Sequence, residues 1–405
     1  MRIPNIARAA LNLAGVRMRR AGRQWRAAAG VAGRWGRKAQ RQGEQLGHAP
    51  SLIRARLERG RASIERSQKR IERFDDHVLT PYRTERAVMQ ALAAASSHGT
   101  VIAGPWTSEV GYEALYWLPF LHWAADRYGV RPEQVVAMSR GGTASWYEGV
   151  AGRYVEIFDL VDPQAFAAQE AAQRARGDQK QMGMSDFDRE LVRRASERLG
   201  IRDAAVWHPG LMYQLFRAFW HGDRSLDFFL RHADFGRVRR SARPASGVSL
   251  PEGYAAVKFY TGPALPDTPS NRDALHGLVT RLAARMPVVM LDTAWTVDEH
   301  HDYAFDGIAG VTTLRPSLDP RTNLGVQTDV IAGARLFLGT CGGLAWLAPL
   351  LGVDTLAVFD DDRYLSSHLY AARYAYRRTR AARFSTLSLK ALRGIDPVRF
   401  AVPAA

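Results

Sequence analysis

Short apolar runs alternate with stretches of helical period along most of the chain. TVIAGPW (100–106), QVVAMSR (134–140), YVEIFDL (154–160) and AAVWHPG (204–210) read as strands, because near-continuous apolar character over so few residues suits a strand covered on both faces. Between them, 110–128 predicts a helix rich in Trp and Tyr, and 163–200 predicts a polar helical stretch with a Gly-containing break. The same alternation starts again with YAAVKFY (254–260), a helix over 272–285, VVMLDT (288–293), VTTL (311–314), a helix over 322–334, ARLFLGT (334–340), a helix from Leu344, and TLAVF (355–359). Strand and helix in turn are the grammar of parallel α/β sheets. The aperiodic stretch RVRRSARPASGVSLPEG (237–253) suits a linker between two such domains. The expected organisation is therefore two Rossmann-like, doubly wound α/β domains over 95–245 and 250–395, preceded by a basic helical arm over 1–90. Ligand crevices are expected at the carboxyl ends of the strands.

The arm differs from the rest in charge. Residues 1–87 carry 21 Lys and Arg against 7 Asp and Glu, so +14 of the whole chain's +16 lies there, and the high isoelectric point says little about the α/β body. Within it, Ile53, Leu57, Ile64, Ile71, Phe74 and Val78 form a narrow apolar stripe on a helix over 52–78. Such a basic amphipathic helix can lie on an anionic membrane, pair with another helix or meet a polyanion. The first fifty residues lack the apolar run and small-residue cleavage site of a secretory signal, although an organellar transit peptide has a similar composition. Nucleic acid is not expected as a partner, since the body lacks basic residues interleaved with stacking aromatics. The single cysteine, Cys341, excludes an internal disulfide and a multi-thiolate zinc site, which fits a reducing compartment. The expected location is cytoplasmic and peripheral, at the inner face of a membrane.

Candidate chemistry sits in the turns after strands. Gly339-Thr340-Cys341-Gly342-Gly343 places glycines and a hydroxyl between a strand and a helix, where backbone N–H groups and the helix dipole favour an anion. Thr340, Gly342 and Gly343 are its candidate ligands; any βα turn also favours Gly. In KFYTGPALPDTPSNR (258–272), Lys258 at a strand end and Asn271 and Arg272 at a helix start would add a cation and donors to the same crevice, unless the segment is only a long surface loop. In GPWTSEVGYEALYW (104–117), Glu109 and Glu113 lie one helical turn apart and can face one side; Glu109 is the candidate general base, against the alternative that it offsets the helix dipole. His208 is a second candidate base, although a His beside Trp is commonly packed. Asp360, Asp361 and Asp362 resemble a metal-binding acidic motif but suit a polar loop, and residues 298–302 hold ligand types without ligand spacing and suit a solvated loop. Cys341 reads as a small buried filler.

The segment ARLFLGTCGGLAWLAPLLGVDTLAVF resembles the nucleotide-sugar half of GT-B-fold glycosyltransferases, especially their heptosyltransferase-like branch. The resemblance covers roughly residues 254–362 well, 100–245 more thinly, and does not reach the arm. It implies that the 339–343 turn meets the donor diphosphate while the first domain holds the acceptor and the base. The implied activity is metal-independent transfer of a sugar, with no cofactor, from a nucleotide-diphosphate donor to a glycan or lipid-linked acceptor. A sugar-nucleotide epimerase, a polysaccharide pyruvyl transferase and a non-catalytic polyanion-binding scaffold are the alternatives.

Overall fold

In the computed structural model, residues 50–175, 181–236, 238, 248–293, 300–363 and 365–392 are described. The chain divides into two compact units, 1–79 and 80–405. In the first, the described part is a helix, Pro50–Phe74, ending in a π-helical turn, Asp75–Leu79. Ile64, Ile71, Phe74 and Val78 of the expected stripe are exposed on it.

The second unit holds both sheets. The first comprises β1 (Val101–Ala103), β2 (Val135–Ser139), β3 (Arg153–Glu156) and β4 (Ala205–Trp207), all parallel, in the order β3-β2-β1-β4. The second comprises β5 (Ala255–Lys258), β6 (Val288–Met290), β7 (Val311–Thr313), β8 (Leu336–Thr340), β9 (Thr355–Phe359) and β10 (Phe384–Ser388), again parallel, in the order β10-β9-β8-β5-β6-β7. That order is the doubly wound one: the chain builds outward from β5 through β6 and β7, then crosses back to start β8 on β5's other side. Every residue of β1, β2 and β8 is buried, as strands covered by helices on both faces must be.

The α/β expectation is met, with corrections at its edges. The expected arm runs to 90, but the helix Thr80–Ser96 already belongs to the second unit and buries Val88, Leu92 and Ala95. The two expected α/β domains correspond to the two parallel sheets, and one continuous apolar cluster joins residues of both, from Val101 and Trp117 to Phe337 and Trp346. Most of the expected linker, 237 and 239–247, lies outside the described residues. Sequence reading did not identify β10 or the helices Thr80–Ser96, Pro209–Trp220 and Ser366–Thr379. β10, FSTLS, has two serines and a threonine at the sheet edge, so it lacks the apolar run by which the other strands are recognised.

Candidate functional site

The switch point of the second sheet lies between β5 and β8, and that of the first between β1 and β4. The segments leaving β1, β2, β5, β6 and β8 converge on one cleft of about 130 Å³, to which Glu109, Arg140, Lys258, Thr293, Asp302 and Gly343 contribute. Both sheets thus present their carboxyl ends to the same space.

The turn after β8 reaches this cleft through its last residue. Gly343 and the following Leu344 line it, while Thr340 and Cys341 are buried. Thr340 Oγ1 donates to the Tyr260 carbonyl (3.0 Å) and accepts from the Tyr260 N–H (2.9 Å), so this expected ligand instead clasps the end of β8 to the residues after β5. Gly342 has φ +149° and Gly343 has φ +44°, and a Cβ on Gly342 would stand 2.4 Å from the Tyr260 hydroxyl. Only glycine fits there, for steric and conformational reasons together. The Cys341 N–H is spent on the Val358 carbonyl (2.8 Å), and burial pushes its thiol up to about 12, which agrees with a packed filler.

Lys258 lines the cleft, but its ammonium is held by Asp302 Oδ2 (2.7 Å) and the Leu291 carbonyl (2.8 Å). Asp302 also accepts from Thr293 N–H (2.7 Å) and Oγ1 (3.0 Å). The expected solvated loop thereby supplies the lysine's counter-ion, and His300 beside it also lines the cleft. Asn271 and Arg272 do not line it. The helix begins at Pro269, not at the expected 272, so both fall inside its first turn. There Asn271 Nδ2 donates to the Pro266 carbonyl (2.9 Å) and Arg272 pairs with Asp267 in two bonds of 2.6 and 2.5 Å.

Glu109 occupies the N-cap position before Val110, half-buried and making no capping bond with its side chain, and it lines the cleft. Glu113 does not share its side, contrary to the expectation. The two remain one ordinary turn apart, the Glu113 N–H donating to the Glu109 carbonyl (3.2 Å), but Glu109 is an N-cap in extended backbone, outside the helix, whereas Glu113 lies within it and opens the π-helical segment Glu113–Trp117. Glu113 is 1% exposed, and its Oε1 accepts from Ser139 Oγ (2.6 Å) and Tyr147 Oη (2.5 Å). Burial, opposed by these bonds and by Arg140, raises its pKa to about 7. His208 is also buried away from the cleft: its Nδ1 accepts from the Gly210 N–H (3.0 Å), and its Nε2 lies 3.3 Å from Asp188 Oδ2. Gln181 links Asp188 to the Pro105 carbonyl and the Thr107 N–H, so His208 belongs to a buried polar network behind the β1 loop.

Arg140, Asn323 and Gln327 are among the polar cleft residues that the sequence pattern did not single out. Arg140 directly follows β2, and Asn323 and Gln327 lie one turn apart on the helix Asn323–Gly333. The sequence signal was SRGGT, a second Gly-containing turn at a strand end. Its Gly141 and Gly142 N–H groups bind the Glu156 carboxylate (3.0 and 2.8 Å), and Gly141 accepts from the Gly325 N–H (2.8 Å), joining the first sheet to that helix. The acidic run behaves as a polar loop: Asp361 pairs with Arg363 (2.5 Å) and Asp360 with Lys390 (3.4 Å). No group of three or more His, Cys, Asp or Glu among the described residues is placed to hold a metal ion.

No family model matches the chain, and no curated protein matches it. Among solved structures it is similar to E. coli ADP-heptose LPS heptosyltransferase II, at 13% identity and a TM-score of 0.40 over 75% of this chain and 96% of that one. It is similar to a glycosyl transferase family 9 protein from Veillonella parvula, at 10% identity and a TM-score of 0.39 over 71% and 85% of the two chains. It is also similar to the E. coli heptosyltransferase WaaC with ADP, at 14% identity and a TM-score of 0.37 over 75% and 99%.

Proposed function

We propose that the chain is a GT-B-like glycosyltransferase that moves a sugar from a nucleotide-diphosphate donor to a hydroxyl of a glycan or lipid-linked acceptor. The observation that carries this reading is the single cleft into which the doubly wound sheet opens its β5/β8 switch point and the other sheet presents Glu109. The second-sheet side suits a diphosphate, with Gly343 in the left-handed region allowing close backbone approach. The first-sheet side suits the acceptor. The Glu109 carboxylate takes the proton of the attacking hydroxyl, the acceptor oxygen bonds to the anomeric carbon, and the bond from that carbon to the diphosphate breaks, its electron pair leaving with the nucleoside diphosphate. The cleft is smaller than the ~300–1,000 Å³ usual for small-molecule pockets, so it takes the reacting groups while nucleoside and sugar extend beyond it or part its walls.

A panel of UDP-, GDP-, ADP- and dTDP-linked sugars tests the reading by calorimetry and by product release. Binding of at least one donor with slow hydrolysis is expected; silence toward the whole panel removes the assignment, and an epimerised donor as product replaces it with the isomerase alternative.

The arm is proposed to hold the enzyme against an anionic membrane, each Lys or Arg near the surface contributing about 1 kcal/mol. The exposed apolar positions Ile64, Ile71 and Phe74 on a basic helix support this. Among the described residues no helix is long and apolar enough to cross a membrane. Flotation with phosphatidylserine vesicles is expected for the full chain and lost on deletion of residues 1–79; equal flotation of both proteins sinks the idea.

A further inference from the structure

Resting on the glycosyltransferase reading, we propose that Arg140, and not Lys258, is the cation that meets a phosphate group of the substrate in this cleft. The two residues line the same space with opposite commitments. Lys258 already has a carboxylate at 2.7 Å, and Asp302 in turn is held by Thr293, so the charge of that pair is cancelled inside the protein. Arg140 has no carboxylate ion pair among the described residues.

The groups in direct contact with the guanidinium are uncharged. One Nη2–H donates to the Ser108 carbonyl (2.8 Å), the residue before Glu109, and the Phe166 ring centroid lies 5.9 Å from Cζ. Arg140 is only 7% exposed, and its buried Nε has no hydrogen-bond partner. Of the nearby Glu113 carboxyl, Oε1 accepts from Ser139 and Tyr147, and the group feels Arg140's charge without forming an ion pair with it. A cation kept this far from water with donors unspent is costly unless an anion arrives to meet it. The planar fork of a guanidinium matches a phosphate through two parallel hydrogen bonds, which an ammonium cannot reproduce. The anion comes from the donor diphosphate or from a phosphate on the acceptor, and the chemistry at Arg140 is the same for both.

The test compares wild type, Arg140→Gln, Arg140→Lys and Lys258→Met in calorimetric titrations with a nucleoside diphosphate, inorganic pyrophosphate and a simple sugar phosphate. Thermal unfolding with and without each ligand is followed in parallel. Arg140→Gln is expected to lose tenfold or more in affinity and the ligand-induced rise in Tm, Arg140→Lys to lose less, and Lys258→Met to lose least. Loss toward the nucleoside diphosphate and pyrophosphate assigns Arg140 to the donor; loss confined to the sugar phosphate assigns it to the acceptor. If Arg140→Gln does not fold, the comparison of Arg140→Lys with Lys258→Met decides, and a larger loss in the lysine-258 variant overturns the proposal. Wild type that binds a phosphate ligand which Arg140→Gln binds as tightly overturns the proposal alone. Wild type that binds none of the three overturns the glycosyltransferase reading together with it.

Discussion

Replacing Glu109 with Gln is expected to lower sugar transfer by about 10²–10⁴-fold while leaving nucleoside diphosphate affinity within about twofold of wild type. The substitution preserves shape and removes the group able to take a proton. Glu109 is the one glutamate among the residues lining the cleft, and it faces the space from the sheet opposite the 339–343 turn. As an N-cap that makes no side-chain capping bond, it contributes little by that route to holding its own helix, so the variant is expected to fold normally. Transfer kinetics measured with saturating donor, beside a binding isotherm for the nucleoside diphosphate, separate the two effects. Unchanged turnover would remove Glu109 as the base; equal losses in turnover and in diphosphate affinity would make it a positioning residue.

The second large effect concerns Glu113 and stability. Its folded pKa is raised from 4.5 to about 7, burial being the largest cause. An acid whose pKa is raised on folding is held better in its protonated form, so it costs nothing while both states are protonated, below about pH 4.5. As pH rises from there to about 7 the unfolded chain ionises first and stability falls; above 7 the loss is complete. The size follows from the shift at about 1.4 kcal/mol per pKa unit, giving an order of about 3 kcal/mol. Glu113→Gln has no such charge to bury and its Oε1 can still accept from Ser139 and Tyr147. Its stability relative to wild type is therefore expected to improve between pH 4.5 and 8. Denaturant unfolding of both proteins across that range checks this. A wild-type-to-variant difference that stays flat with pH rules the raised pKa out, whatever constant cost the new amide carries.

These two glutamates also show where sequence reading stopped. Both were visible as acids one helical turn apart after the first strand, and that spacing led to the expectation of one shared face. Glu109 is an N-cap in extended backbone and lines the cleft, while Glu113, inside the helix, lies under Ser139 and Tyr147. The spacing carries no mark of where the helix starts, and Glu109 falls just outside it, so helical periodicity does not govern its side chain. Lys258 and Asp302 are a second case. The lysine was legible at a strand end, whereas its partner stood 44 positions away in a segment with no ligand spacing, and only the folded chain brings them together. Arg140 went unnoticed for the opposite reason: as the last letter of an apolar run it looked like an ordinary strand terminus, and its significance lies in what surrounds it.

The pattern of apolar runs determined the α/β class and nine of the ten strands among the described residues, most firmly for the central strands, whose burial on both faces demands uninterrupted apolar side chains. Residue identities alone likewise placed a Gly-rich turn after β8 and the concentration of charge in residues 1–87. Tertiary structure decided which polar groups share the cleft, which of them are already paired, and that one apolar cluster packs residues of both sheets together. Local pattern reports whether a residue wants to leave water; the partner it finds depends on long-range approach, to which a polar side chain's own sequence neighbourhood is blind.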